Sequence, residues 1–483
     1  MNKTTLTTST GVPVDNNQNS TTAGSRGPIV LSDVHLLDKL AKFNRERIPE
    51  RVVHAVGAGA YGYLEVTHDM TKYTKAKFLN AIGKRTPLFV RFSSTLGEKG
   101  FMDTDRDPRG FAIKLYTEDG IQDIVGNNTP FFFIRDPIKF PDIIHSRKRH
   151  PQTNVRDPNM SWDFISLTPE SIQNIMFLYS ERGISDGYRH MDGFSAHAFR
   201  WVNEKNEAFL VKYHIKTDVG VKNLTPEQVC EIEKTNKDYH TLDLFNHIAS
   251  GKSATWSFFV QVMPEHEAAN YKYDVTDVTK VWPHGDYPLI PLGKMALNRN
   301  PQNFFAEVEQ AAFNPGNNVP GIELSNDRLL QARVFSYPDT QRYRLGSNFD
   351  QIPVNCPINN VANYQRDGFM VVNGNQGNMV NYEPNSLNGP SECPEKSQKA
   401  SNVNGCVARN LFQSGDIDFE QPRAFWVKVL SEQSKAHLVD NMAKSMKCCR
   451  NDIKERMVRL CSRVHNDFGM RLAKQLGMAT PKL

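Results

Sequence analysis

Cysteine is scarce in this chain, and it falls into no pattern that would give it structural work. The seven cysteines (Cys230, Cys356, Cys393, Cys406, Cys448, Cys449 and Cys461) form no CxxC, no CxxCH and no zinc-type spacing among 483 residues. They read as free thiols of an intracellular protein. No apolar run reaches the roughly 18 residues that a membrane-spanning helix needs, so no membrane partner is expected. The stretch MNKTTLTTSTGVPVDNNQNSTTAG lacks the apolar segment of a secretory signal, which leaves the sequon Asn19-Ser20-Thr21 without a route to glycosylation. The net charge is only +5, too dilute over this length to mark a nucleic-acid binder. No internal repeat is present.

Apolar material is plentiful by contrast. Hydrophobic residues make up 39%, and 28 Phe, 15 Tyr and 5 Trp can fill a sizeable core, which excludes global disorder. The length allows about two to four domains, or one large domain with appendages. Residues 1–50 open as a polar arm rich in Thr, Ser and Asn. Residues 51–300 carry strand-like blocks, among them Leu88–Ser93, Gly110–Tyr116 and Trp256–Met263. The clearest is Ala208–Thr217, where Phe209, Val211, Tyr213 and Ile215 alternate with Lys212, His214 and Lys216. A helical stretch at 168–181 lies between, and the whole reads as a mainly antiparallel sheet or barrel. Residues 301–415 are rich in Asn, Pro, Gly and Gln, with one short helix expected near Phe305–Phe313. So long a stretch of sparse structure fits a segment wrapped over other parts. Residues 416–483 are helical. Met442, Met446, Cys449, Ile453, Met457, Leu460 and Val464 share one face of a long helix or a helix pair, as core rather than as a cofactor box. The excess positive charge sits here too, on what reads as a solvated face.

Four motifs stand out. Gly57-Ala58-Gly59-Ala60-Tyr61-Gly62 matches GxGxxG, but a strand-like Tyr63-Leu64-Glu65-Val66 follows it and no acid occurs between 70 and 97, which argues against dinucleotide binding. The glycines instead permit close backbone packing. Arg51-Val52-Val53-His54-Ala55 sets a cation and an imidazole three apart, and Gly126-Asn127-Asn128-Thr129-Pro130 is a turn signal before the apolar Phe131-Phe132-Phe133. Alone, each reads as structural. The richest block is Arg333-Val334-Phe335-Ser336-Tyr337-Pro338-Asp339-Thr340-Gln341-Arg342-Tyr343-Arg344-Leu345. On a helix Arg333 reaches the Tyr337 oxygen one turn on, with Pro338 in a first turn or at a kink.

Taken together, FNRERIPERVVHAVGAGAYGYLEV, RFSSTLGEKG, DTDRDPRGFAIKLYT, VGNNTPFFFIRDPIKFPDIIHSRKR, RHMDGFSAH, NFFAEVEQAAF and RVFSYPDTQRYRL resemble the haem catalases of the small-subunit, eukaryotic-like type, in order over about residues 25–475. The resemblance implies an α+β fold: an eight-stranded antiparallel β-barrel with an N-terminal arm, a wrapping segment carrying the proximal haem ligand, and a C-terminal helical domain. It implies a homotetramer, haem b as cofactor, and disproportionation of hydrogen peroxide to water and dioxygen through a ferryl haem intermediate, protecting cells from peroxide.

Residue by residue, Tyr337 matches the family's proximal iron ligand, with Arg333 stabilising its phenolate and His197 and Asp327 orienting Arg333. His54 matches the acid/base catalyst, Asn127 the peroxide-binding amide and Ser93 the group that orients His54. Val52, Phe132 and Phe140 match the haem pocket, and Arg51, Arg91 and Arg344 the haem-propionate partners. Phe177, Ser180, Arg182, His214, Lys216, Val281, Trp282 and His284 match positions that hold NADPH in some members. Gln173 and Asp192 depart from that pattern, standing where His and Asn are frequent. Thr95 stands where Val is usual at the channel neck, Arg147 where Gln is common, and Val56 where Lys is frequent. A hydroxyl in an apolar neck holds water more easily, so altered peroxide access or oxidation of small alcohols is expected. Pro481-Lys482-Leu483 resembles the peroxisomal address and points to the peroxisomal matrix, with the cytoplasm as the alternative.

Overall fold

The period of two in residues 208–217 becomes a strand with those same bounds, and it sits at the seam of a closed sheet. The computed structural model describes residues 4–412 and 414–479, so Pro481-Lys482-Leu483 lies outside the described residues. The ten strands are β1 (Gly57–Val66), β2 (Arg85–Ser94), β3 (Arg109–Thr117), β4 (Gly120–Asn127), β5 (Gly193–Phe194), β6 (Phe199–Val202), β7 (Ala208–Thr217), β8 (Ala254–Pro264), β9 (Ile290–Arg299) and β10 (Ile322–Leu324). Every pairing is antiparallel. The order β7-β5-β4-β3-β2-β1-β9-β8 returns to β7 and closes an eight-stranded barrel, to which β6 and β10 add an extension. Closure leaves the barrel with no unpaired edge.

The barrel is filled by side chains. Phe92, Phe111, Tyr188 and Trp256 pack ring to ring at 4.8–5.7 Å, joined by Val211, Tyr213 and Ile215 of β7. The polar face of β7 is covered: Lys212 and His214 are 4% and 6% exposed because residues 275–282 lie over them. The GxGxxG run lies within β1, in a strand. A side chain at Gly59 would meet the Phe89 ring at 2.5 Å, so close packing does account for that glycine.

The helices of the body are α2 (Phe140–Arg147), α3 (Pro158–Ser166), α4 (Ile172–Tyr179), α5 (Pro226–Glu233), α6 (Tyr239–Ala249), α7 (Arg328–Leu345), α8 (Ile417–Ala424), α9 (Glu432–Met446), α10 (Asn451–Val464) and α11 (Asn466–Gln475). The Met-rich stripe is a helix pair: Met442 and Met446 lie on α9, Cys449 in the turn, and the rest on α10. All seven are buried against α3, α4 and α11 in a second core. The 18-residue α7 breaks the expectation that residues 301–415 are sparse, since it carries Pro338 in its interior. Polar residues hide this helix because its partners are backbone groups and ion pairs rather than an apolar face. The short helix near Phe305 is one wide, π-type turn, Phe305–Glu309. All seven cysteines are free, and among the described residues no helix is long and apolar enough to cross a membrane.

Residues up to Glu50 form a separate unit. Its helix α1 (Val34–Asn44) is capped by the Asp33 carboxylate, which accepts from Leu36 N at 3.0 Å, and Asp38 accepts from Ser9 N and Oγ at 2.9 and 2.6 Å. Helix α1 buries no residue, and Leu37, Leu40 and Phe43 stay exposed.

One buried ion pair ties the later segment to the barrel. Lys114 Nζ of β3 lies 3.0 Å from Asp123 Oδ1 of β4, and Asp123 Oδ2 accepts from Asn314 N and Asn317 Nδ2, each at 2.9 Å. Burial raises the Asp123 pKa, and Lys114 is the largest force opposing that. Removing the carboxylate leaves a buried ammonium and loose donors. Asp123→Ala should therefore cost about 3–5 kcal/mol of stability and expose the chain near Asn314 to proteases. Thermal unfolding and limited proteolysis check this; an unchanged melting temperature would contradict it.

Candidate active site

His54 precedes β1 and has φ 65°, a left-handed conformation rare for a residue with a side chain. Both of its peptide groups are pinned. His54 N donates to Thr95 O at 2.9 Å, and Arg91 Nη1 donates to His54 O at 2.8 Å. The ring is then held by Ser93 Oγ, 2.9 Å from Nδ1. Ser93 faces Gly110 across the β2–β3 ladder, and a side chain at 110 would lie 2.3 Å from Ser93 Oγ and 2.8 Å from His54 Nδ1. Gly110 thus makes room for the imidazole, a role the sequence motifs did not reveal. Asn127, the last residue of β4, lines the same space.

Helix α7 supplies the other group. Arg333 Nη2 donates to the Tyr337 hydroxyl at 2.7 Å and to Val125 O of β4 at 2.9 Å, so one guanidinium links helix to barrel. Asp327 caps α7: its Oδ1 accepts from Leu329 N and Leu330 N at 2.9 and 3.1 Å, while Oδ2 meets His197 Nδ1 at 2.6 Å. Among the described residues Arg333 makes no hydrogen bond to either His197 or Asp327. Their hold on it runs through the start of the helix, six residues earlier.

Two adjoining cavities, of about 100 and 280 Å³, share Val53, His54, Val125, Gly126, Asn127, Phe140, Ser336 and Tyr337 as walls. Phe132 and Phe140 stack at 6.4 Å on the apolar side of the larger one, and Val52 lines the smaller. At the smaller cavity stand Arg51 and Arg91. Arg51 Nη2 donates to the carbonyls of Val308, Glu309 and Ala311 at 2.7–3.0 Å, while its Nη1 has no hydrogen-bond partner; Arg91 Nε also has none. Arg344 lines neither cavity and lies behind them, 3.3 Å from the Glu309 carboxylate, which is 3.8 Å from Arg51. Three buried guanidiniums thus gather near the Glu309 carboxylate. Arg51 is pushed well below the ordinary arginine range, by burial first and then by Arg91 and Arg344. An apolar group bearing carboxylates fits these apolar walls and the Arg51 and Arg91 guanidiniums beside them.

Beyond His54, the neck is built on Asp107. Its Oδ2 accepts from Thr95 N and Leu96 N, both at 2.6 Å, and burial pushes its carboxyl up to about 6. The Thr95 hydroxyl donates to Pro108 O at 2.7 Å, which leaves its oxygen free to act as an acceptor in the neck. Arg147 lines the larger cavity, its guanidinium 5.1 Å from the Phe133 ring centre. Val56 is part-buried just before β1.

The second predicted site lies elsewhere on the barrel. Lys216 and Arg182 both pair with Asp192, at 3.0 and 3.7 Å, and Arg182 sits over Phe177. Ser180 Oγ donates to Phe177 O. His214 Nε2 meets Gln261 Oε1 at 2.8 Å, with the His284 ring 5.7 Å away. Gln173 lies buried on α4. The cavity lined by His214, Val281 and Trp282 is only about 10 Å³.

Known proteins share this fold. The family described as catalase matches residues 7–389, and the family described as catalase-related immune-responsive matches residues 413–476. The peroxisomal catalase of Toxoplasma gondii is 55% identical, over 98% of this chain and 95% of its own length. The catalase of Methanosarcina barkeri is 53% identical, over 98% and 94%. The solved structure of catalase A from Saccharomyces cerevisiae superposes with a TM-score of 0.95 at 44% identity, covering 98% of this chain and 99% of that one. The chain belongs to the catalase family. It is an enzyme that decomposes hydrogen peroxide, and membership in the family implies haem as its cofactor.

Burial, then the positive charges of Arg91, Arg333 and Arg51, push the His54 pKa down to about 3. A depressed pKa keeps the imidazole neutral, able to accept a proton, until pH falls towards that value. Initial oxygen evolution should therefore hold level from about pH 8 to about pH 5 and fail only in stronger acid. A decline centred near ~6.5, the value of an unperturbed imidazole, would contradict the shift.

Proposed function

We propose that the chain disproportionates hydrogen peroxide with haem b held between His54 and Tyr337, Tyr337 being the iron ligand. The carrying observation is the cavity walled by both His54 and Tyr337, with the buried guanidiniums of Arg51 and Arg91 beside it, which suits the propionates of a haem. Haem iron, once bound, supplies the electron transfer. The protein's own part is to move protons and keep the site dry. His54 takes a proton from one peroxide oxygen and delivers it to the other, which leaves as water. Ser93 fixes the ring for both transfers. Asn127 donates a hydrogen bond that holds peroxide against His54. Arg333 orients the Tyr337 oxygen by donating to it, and Asp327 and His197 fix the start of the helix that carries both. Val52, Phe132 and Phe140 form the dry wall.

The same reading extends to assembly and compartment. Phe335 and Tyr343 on α7 are 72% and 77% exposed and α1 leaves its apolar side uncovered, which favours burial in a homotetramer. The relative from Toxoplasma gondii is named peroxisomal, which supports a peroxisomal matrix protein. NADPH fits less well. Asp192 already occupies the two cations, Arg182 and Lys216, that a phosphate would need, and it would repel that phosphate.

Two substitutions test the roles. His54→Ala should retain haem yet lower oxygen evolution by about a hundred- to ten-thousand-fold, and full activity would remove His54 from the reaction. Tyr337→Phe should abolish the absorption spectrum of phenolate-ligated ferric haem. A spectrum that persists unaltered would show that another residue is the ligand.

A further inference from the structure

Asp192 lies just before β5, and its carboxylate is buried against two part-exposed cations. Its Oδ2 is 3.0 Å from Lys216 Nζ and 3.7 Å from Arg182 Nη2, while its Oδ1 accepts from Thr217 N at 3.1 Å. Each cation also rests on a ring, Arg182 over Phe177 at 5.1 Å and Lys216 over Phe194 at 4.6 Å. The two cations therefore come with an anion of their own, fixed by a backbone amide. A phosphate monoester carries about −1.5 to −2 charges at pH 7 and would meet that fixed carboxylate. A ribose hydroxyl would not be repelled, because a carboxylate accepts its hydrogen bond.

Two buried atoms of the same site lack a partner, His214 Nδ1 and Gln173 Oε1. His214 meets the Phe194 ring edge-on at 5.4 Å, and Gln173 stands one turn before Phe177 on α4. Gln261 fixes the imidazole tautomer. Its Nε2 donates to Trp282 O and Tyr287 O at 3.0 and 2.6 Å, so its Oε1 accepts from His214 Nε2. His214 Nδ1 is then a bare acceptor, and burial keeps the ring neutral by pushing its pKa down to about 3. Gln173 Oε1 is an acceptor as well. Buried acceptors without donors are costly, and amide or amino groups of a ligand would satisfy them.

We propose that Asp192 is the specificity-determining residue of this second site, turning it against NADPH and towards NADH, which has a ribose hydroxyl where NADPH bears a phosphate. The inference rests on reading the site as one for a nicotinamide dinucleotide. The carboxylate accepts from the ribose hydroxyls, as an acid does in dinucleotide sites that take NAD. The ligand's amide and amino groups supply the N–H donors that His214 Nδ1 and Gln173 Oε1 lack.

The test is equilibrium dialysis of NADH and of NADPH against the haem-loaded protein. The unmodified protein should bind NADH at least about tenfold more tightly than NADPH. Asp192→Asn keeps the side chain's shape but frees both cations, and it should tighten NADPH about ten- to hundredfold while weakening NADH. Unmodified protein that binds NADPH as tightly as NADH would overturn the proposal without recourse to any variant. An Asp192→Asn protein with the native ratio of affinities would overturn it too. If neither dinucleotide binds to either protein, the reading of the site as a dinucleotide site falls, and the inference with it.

Discussion

The bond from Arg333 to the Tyr337 oxygen is the contact on which the site turns. It spans one turn of α7, so helix geometry brings the two groups together before any tertiary packing is considered. The same guanidinium also reaches Val125 O on the barrel, and so fixes where the helix stands. Asp327 sets the helix's first turn by capping it and holds His197 in the same grip. Phenol, cation, cap and barrel are thereby one connected polar unit. Losing Asp327 leaves the buried His197 ring and the first amides of the helix without their acceptor rather than merely removing one bond.

On the other wall the device is strain. His54 sits at φ 65°, which costs energy for a side chain of its size. The cost is met by two backbone bonds, from Thr95 and Arg91, and by the space that Gly110 leaves. The conformation keeps the ring rigid without any covalent restraint. Burial among arginines then keeps that ring neutral. The arginines beside the smaller cavity thus also set the protonation state of His54.

Much of this was legible in the residues. The alternation in 208–217 located β7 to the residue, and the spacing of Met442 through Val464 marked a buried face on one long helix or a pair. The i, i+4 relation of Arg333 and Tyr337 was visible once a helix was assumed. Three features were not. Helix α7 lacks an apolar stripe and contains Pro338, so periodicity and helix-breaking rules both obscured it. Glu309 looked like one more acid in a polar run, because its meaning depends on arginines more than 250 residues before it and 35 after it. Gly110 acts through the room it leaves, and a residue's absent side chain signals nothing in a single sequence. The closed barrel and its strand number came from likeness to a family, since pairing partners distant in sequence leave no local trace.

The clasp between Asp123 and the later chain has a consequence for assembly. Lys114 and Asp123 face each other within a hairpin, a local event that needs only a short loop to close. Asn314, 191 residues further on, can dock only after that hairpin exists. Seating the stretch that bears the phenol therefore closes a loop of 191 residues, a far larger entropic cost than the hairpin it docks on.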